Sequence, residues 1–211
     1  MAGKGFGLWG GAMTGPGRGR PRDAAADRAI LHAALDLFIE RGVEGTSIEQ
    51  IARRAGVGKP TIYRRWSTKE DLIAAAMETL VAEEVVWASP EEIESRSPHV
   101  LVEAAIESAA ATTASPSYRA LVARVYGSAV SHPGLMAVYW DRYILPRRAQ
   151  ARRLLERARE LGTVSEDTDL DVAIDMMVGA ITYRVLQPDP PDVDGMRRYL
   201  RAVYRQIGLL S

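Results

Sequence analysis

Gly56-Val57-Gly58 separates two short stretches of helical periodicity within residues 45–72, and that spacing leaves the chain few ways to pack. In the first stretch, about 47–55, Ile48, Ile51, Ala52 and Ala55 make one apolar face. Thr46 with Glu49 reads as a capping box, each side chain reaching the other's free backbone N–H. Gly56 takes positive φ at little cost, and Val57 plugs the core. The second stretch starts near Lys59-Pro60, with proline in the first turn, where its missing N–H is not needed. Ile62 and Trp66, one turn apart, face inward, which leaves Lys59, Thr61, Tyr63, Arg64 and Arg65 mostly outward.

The flanks are helical too. In 24–41, Ile30, Ala34, Leu35, Phe38 and Ile39 share a face, Gly42 suits a left-handed cap, and Val43 turns inward. Ser67-Thr68 caps a helix over 69–87, with Leu72, Ile73, Ala76, Met77, Leu80 and Val81 on its buried side. Residues 89–98 read as a polar, proline-bounded linker, and 187–195 as a loop. Further helices are predicted near 98–113, 117–131, 134–161, 167–187 and 192–208, with Pro146 kinking or dividing the third of these. No stretch sustains strand alternation, so the fold class is all-α. Residues 1–22 are glycine-rich and basic, and predict a flexible arm.

Composition closes several function classes. The 211 residues include no cysteine, which excludes disulfides, thiolate metal sites and cysteine nucleophiles. His32, His99 and His132 lie far apart, so no metal site is implied. No phosphate-binding glycine loop and no nucleophile–base pair at telling spacing is present, so neither a cofactor nor an enzyme is implied. No uncharged apolar run approaches the roughly 18–20 residues that span a bilayer. The glycine-rich start lacks the apolar core of a signal peptide, which predicts a cytoplasmic protein without membrane contact. The net charge of zero hides a split: residues 1–66 carry 11 Lys+Arg against 6 Asp+Glu, and the remainder carries 16 against 21. A basic N-terminal part calls for an anionic partner, and DNA is the obvious one, because neutralising phosphates releases condensed counterions.

Two short helices joined by a glycine turn, the second basic and aromatic, describe a helix-turn-helix, whose second helix enters the major groove. Lysine and arginine bind phosphate or guanine O6 and N7, and threonine contacts phosphate or a thymine methyl. The run GTSIEQIARRAGVGKPTIYRRWSTKEDL, residues 45–72, resembles the TetR family of bacterial transcriptional regulators. The matching positions are Ala52, Ala55-Gly56-Val57, Ile62-Tyr63, Trp66, Lys69-Glu70 and Leu72, and Tyr63-Arg64-Arg65-Trp66 places it with a YRRW-type subgroup. The resemblance implies a three-helix helix-turn-helix domain over 23–70, then a helical effector-binding and dimerisation domain over 71–211. It implies phosphate contacts by Thr46, Ser47, Tyr63 and Lys69, and base reading by Lys59, Pro60, Thr61 and Arg64. Arg65 joins this DNA-binding set, although the family often has histidine or tyrosine there. Gly58 stands where a capping serine is frequent, so the second helix starts less firmly. Arg18-Gly19-Arg20-Pro21 matches the core of an AT-hook, which predicts Arg18 and Arg20 in an A·T-rich minor groove.

For the C-terminal part the resemblance implies a homodimer built from the last two helices. Apolar residues of 167–187 cover more than one face, which asks for burial on two sides. Met177, Ile181 and Val185, with Tyr199, Val203 and Tyr204 of the last helix, are the expected interface. Met77, Trp87, Tyr118, Tyr126, Met136, Tyr139, Trp140, Tyr143 and Met176 are the expected walls of a pocket for an unknown small-molecule effector. The arginine-rich run 142–159 reads as a solvated face neutralised by Glu156, Glu160 and the acidic segment 166–175. The function expected is a DNA-binding transcriptional regulator, a repressor released from a palindromic operator by its effector. The alternatives are a DNA-binding regulator controlled by a protein partner, and an all-α small-molecule enzyme.

Overall fold

The computed structural model describes residues 24–84 and 88–210, and every regular element among them is helical. In chain order these are α1 (Ala24–Arg41), α2 (Ile48–Ala55), α3 (Lys59–Tyr63), α4 (Lys69–Glu84), α5 (Pro90–Ser95), α6 (Pro98–Ala114), α7 (Pro116–Ser128) and α8 (Pro133–Tyr139). A single π-helical turn (Trp140–Ile144) leads into α9 (Leu145–Glu160), followed by α10 (Leu170–Val185) and α11 (Val193–Gln206). The N-terminal arm, with Arg18 and Arg20, and Trp87 lie outside the described residues.

α1 ends as its sequence predicts. Gly42 has φ 72° and donates its N–H to the Phe38 carbonyl at 2.8 Å. The start of α2 is shifted by one residue from the expectation. Ser47, not Thr46, is the cap: its hydroxyl accepts from the Gln50 N–H at 3.3 Å, and the Ser47 N–H donates to Gln50 Oε1 at 2.9 Å. Thr46 is only 1% exposed and donates its hydroxyl to the Gly42 carbonyl at 2.7 Å. The cause is Val43, whose burial draws the 42–46 turn against the core and carries Thr46 inward. Gly56 then takes φ 67°, which lets the Val57 N–H return to the Ala52 carbonyl at 3.0 Å.

Two further segments differ from expectation. The supposed linker holds α5, because Ser89 and Glu92 form a capping box around Pro90 and Ile93 is buried. The predicted helix over 134–161 is divided before Pro146. That proline lacks an N–H, and its ring would strike the Arg142 carbonyl of a continuous α-helix. The π-helical turn opens that segment, with the Leu145 N–H reaching back to Trp140 O.

The helices enclose two cores. The first joins α1–α4 to Leu121 and Val125 of α7 and Leu135 of α8, with Phe38, Ile51, Ile62, Leu72 and Met77 fully buried. The second joins α6, α9, α10 and α11, with Ile106, Leu155, Ile174 and Leu200 at its centre. α7 serves both, since Val122 packs into the second. The first core continues along α4 to Met77, so residue 70 is not a break in packing. The arginine-rich face of α9 is tied down by acids: Arg148 pairs with Asp171 and Asp175, Arg152 with Asp171 and Glu156, and Arg157 with Glu160. Among the described residues no helix is long and apolar enough to cross a membrane.

Candidate nucleic-acid interface

α3 is one and a half turns long, too short to persist by itself. Gly58 offers no side chain to cap it, as the sequence predicts. Its hold on the protein comes from Ile62, fully buried among α1, α2 and α4, and from Trp66, which packs half-buried on the same core. With Ile62 pointing in, Lys59, Pro60, Tyr63 and Arg64 are exposed and Thr61 is half-buried. Tyr63 is 57% exposed, so its ring does not serve the core.

The charges around this helix are paired in ways the sequence does not announce. At its N-terminal end the Lys59 ammonium meets Glu49 of α2, Nζ to Oε1 2.8 Å. That hydrogen bond holds the Glu49 carboxyl below its ordinary range and raises the lysine above its own. Just past its C-terminal end, Arg65 turns away from solvent. Its side chain is 10% exposed, its Nε donates to Asp27 of α1, and its Nη1 donates to the Thr61 carbonyl at 3.0 Å. In this arrangement the guanidinium expected to face DNA instead fastens α3 to α1. Thr46 likewise has its hydroxyl engaged internally, so a phosphate contact by that side chain is not available in this conformation. Ser47 stays half-buried at the start of α2, where its oxygen accepts from the Gln50 N–H and its O–H reaches the Glu49 carboxylate. Lys69, the first residue of α4, uses one donor on the Val43 carbonyl at 2.9 Å and keeps two.

The helix-turn-helix is also tied to the C-terminal helices. Arg124 of α7 donates to the Ile39 carbonyl at 2.8 Å and the Glu40 carbonyl at 3.0 Å, closing the C-terminal end of α1. His132 Nε2 lies 3.2 Å from Glu44 Oε1 in the turn after α1. α4 makes two more links across its length: Asp71 pairs with Arg142 of the π-helical turn at 3.1 Å, and Glu78 pairs with Arg147 of α9.

Family models match both parts of the chain: residues 30–76 fit that of bacterial regulatory proteins of the tetR family, and residues 101–203 that of a tetracyclin repressor-like C-terminal domain. The HTH-type transcriptional regulator YdeS of Bacillus subtilis is 34% identical over 169 residues, which cover 80% of this chain and 82% of that protein. The chain belongs to the tetR family. It is a helix-turn-helix transcriptional regulator, as are its relatives. The HTH-type transcriptional repressor Rv3405c of Mycobacterium tuberculosis is 45% identical over 62 residues, 29% of this chain and 31% of that one. A solved TetR transcriptional regulator from Agrobacterium tumefaciens shares the fold with a TM-score of 0.60 at 23% identity, covering 87% of this chain and 94% of that one.

Against that family plan, the expected pocket residues divide into several groups. Tyr118, Tyr139 and Tyr143 lie around the Glu78–Arg147 pair between the two cores, with Met77 and Met136 behind them in the first. Burial pushes the Tyr118 phenol up to about 12 and raises Tyr139 and Tyr143 as well. Arg147 also donates to the Tyr143 carbonyl at 2.9 Å, and the second Glu78 oxygen is buried with no hydrogen-bond partner among the described residues. Tyr126 and Trp140 are exposed instead. Met176 lines a separate cleft of about 440 Å³ with Thr163, Asp169, Val172 and Arg205. A second cleft of about 400 Å³ lies among Thr113, Ser115, Pro116, Arg119 and Pro190 and contains none of the expected residues.

The expected dimer residues are also redistributed. Val185 is 1% exposed, Met177 is buried, and Ile181, Tyr199, Val203 and Tyr204 pack against the second core of the same subunit. Met177 and Val185 are thus covered within the chain, whereas the other four are covered only in part. α10 turns a different stripe outward: Val172, Met176, Gly179, Tyr183 and Leu186, at spacings of three and four residues.

Proposed function

We propose that this regulator is a cytoplasmic repressor that reads a palindromic operator on double-stranded DNA as a homodimer and is released by a small-molecule effector. The observation that carries the proposal is the outward set Lys59, Pro60, Tyr63 and Arg64 on a helix anchored by Ile62. In a helix-turn-helix this face enters the major groove. Lys59, Pro60, Thr61 and Arg64 read base edges, in the manner of the YRRW-type subgroup. Ser47, Tyr63 and Lys69 meet phosphates and set the register. Arg18 and Arg20 extend contact into the neighbouring minor groove.

The homodimer forms through the outer stripe of α10 and the flank of α11. Tyr183, 71% exposed, is its central apolar contact. The effector enters between the two cores, where the Tyr118, Tyr139 and Tyr143 rings surround the Glu78–Arg147 pair. Binding there shifts α4 and α7, which grip α1 and the start of the helix-turn-helix through Lys69 and Arg124. The ligand acts only through its different affinity for the DNA-competent and incompetent arrangements. Residues 71–211 are the effector-binding and dimerisation part, and no catalytic role is assigned to them. Exposure of Tyr126 and Trp140 favours a second reading, in which a protein partner docks on these rings and takes the place of the effector.

Selection of bound fragments from random and genomic DNA at physiological ionic strength tests the proposal. The expected product is an inverted repeat with half-sites spaced by about one helical turn, roughly 10 base pairs. Material that enriches no sequence over scrambled DNA refutes it.

A further inference from the structure

Two ion pairs flank α3, and they differ in kind. Arg65–Asp27 is withdrawn from solvent. Lys59–Glu49 stands in the open, with side chains 51% and 61% exposed. It also stands at the first residue of α3, and the N-terminal residues of the second helix in such a motif are the ones that meet base edges. A carboxylate is a costly neighbour there. A duplex carries one negative charge per about 1.7 Å of axis, and it repels an acid that finds no donor.

Inside the protein Glu49 has only local work: it lies in the first turn of α2, where its carboxylate accepts from its own backbone N–H and from Ser47. The capping box of α2 belongs to Ser47 and Gln50. An ion pair this exposed adds little to stability. In the major groove, however, one class of group suits a carboxylate: the exocyclic amines of cytosine N4 and adenine N6. Each of these lies beside an acceptor, guanine O6 across the pair or adenine N7 on the same base. A lysine and a glutamate 2.8 Å apart present the complementary order, a donor beside an acceptor.

We propose that Glu49 is a specificity-determining residue, accepting from an exocyclic amine of the operator while Lys59 donates to the adjoining base acceptor. On any other sequence the carboxylate keeps Lys59 neutralised and repels the backbone, so it lowers non-specific affinity. This rests on α3 being the base-reading helix.

The test uses the full chain with two duplexes: one recovered by selection with the wild-type protein, and a scramble of the same composition. Binding is measured across a salt series for the wild type, Glu49→Ala and Glu49→Gln. Glu49→Ala should bind the scramble more tightly, with a log–log salt slope steeper by about one, as a freed lysine adds a phosphate contact. Its preference for the operator should fall roughly five- to fiftyfold, the share of one direct base contact. Selection repeated with Glu49→Ala should lose one base pair of preference in each half-site. Glu49→Gln keeps an acceptor oxygen, and should keep that base preference while binding the scramble more tightly. If Glu49→Ala retains the wild-type discrimination and selects the same sequence, the proposal is wrong. If it weakens both duplexes alike and lowers the urea midpoint, Glu49 is a structural staple and the proposal is again wrong. A wild-type protein that discriminates nothing removes the base-reading role of α3 itself, an outcome distinct from either of these.

Discussion

Removing one partner of the Asp27–Arg65 pair separates two roles for Arg65. Breaking a fully buried ion pair costs about 3–5 kcal/mol, because the survivor is left as an uncompensated charge. Arg65, 10% exposed, is close to that limit, whereas Asp27 is 28% exposed. Asp27→Ala strands a guanidinium that keeps only its bond to the Thr61 carbonyl, and should cost about 2–3 kcal/mol. Arg65→Met leaves a carboxylate that water can reach and keeps most of the apolar stem, so about 1–2 kcal/mol is expected. For a domain of this size each kcal/mol moves the thermal midpoint by about 2–4 °C. Urea unfolding at one fixed protein concentration measures the costs, since the proposed dimer would make stability concentration-dependent. The double mutant should cost less than the two singles together, as partners in contact do. The salt slope of operator binding should be unchanged in Arg65→Met, because no phosphate contact is lost. If Arg65→Met folds with wild-type stability and its salt slope falls by about one unit, Arg65 is a phosphate ligand and the staple is refuted.

Thr61→Ala and Arg64→Ala should each relax preference at one or two operator positions, by about 1–3 kcal/mol, whereas Lys69→Ala should weaken all sequences alike and reduce the salt slope by about one; equal loss of specificity from all three would contradict the assignment. Tyr183→Glu places a charge on the outward stripe of α10 and should give a monomer by sedimentation at micromolar concentration, while an unaltered dimer mass would move the interface elsewhere. Tyr118 has its phenol pushed up to about 12 by burial, against an ordinary value of 10. A raised value favours the neutral form in the folded state, so that stabilisation is complete below pH 10 and is lost as pH rises from 10 toward 12. Tyr118→Phe should therefore flatten the alkaline fall in stability, and an unchanged profile would show that the phenol is not sequestered.

The legible part of this protein was its local chemistry. Gly42 as a left-handed cap, the Gly56 turn, proline at the start of α3, Ile62 inward and Tyr63 outward all follow from spacing and backbone sterics. The acid-neutralised arginine face of α9 was legible in part for the same reason, since Glu156 and Glu160 lie one turn from Arg152 and Arg157. Some signals were present but outweighed. Ser89-Pro90-Glu91-Glu92 is a capping box with proline inside it, yet its polarity suggested a linker. Thr46 and Ser47 both fit a cap, and only the inward pull of Val43 decides between them.

What lay beyond the sequence were contacts between residues far apart in the chain. Nothing local marks Asp27 as the partner of Arg65, Arg124 as the closure of α1, or Glu78 as the counter-charge of Arg147. The same holds for α10. Its apolar residues run round most of the helix, so periodicity announces that two sides need cover without saying which is covered by the chain itself. α6, α9 and α11 take the side with Met177 and Val185, and leave Val172, Met176 and Tyr183 in solvent. Sequence alone therefore determined most of the helices, the glycine caps and the outward basic face of α3, because hydrogen bonding and side-chain periodicity within one turn are local. Tertiary structure alone decided which charges are neutralised and which apolar faces stay open, because ion pairing and burial depend on what packing brings alongside.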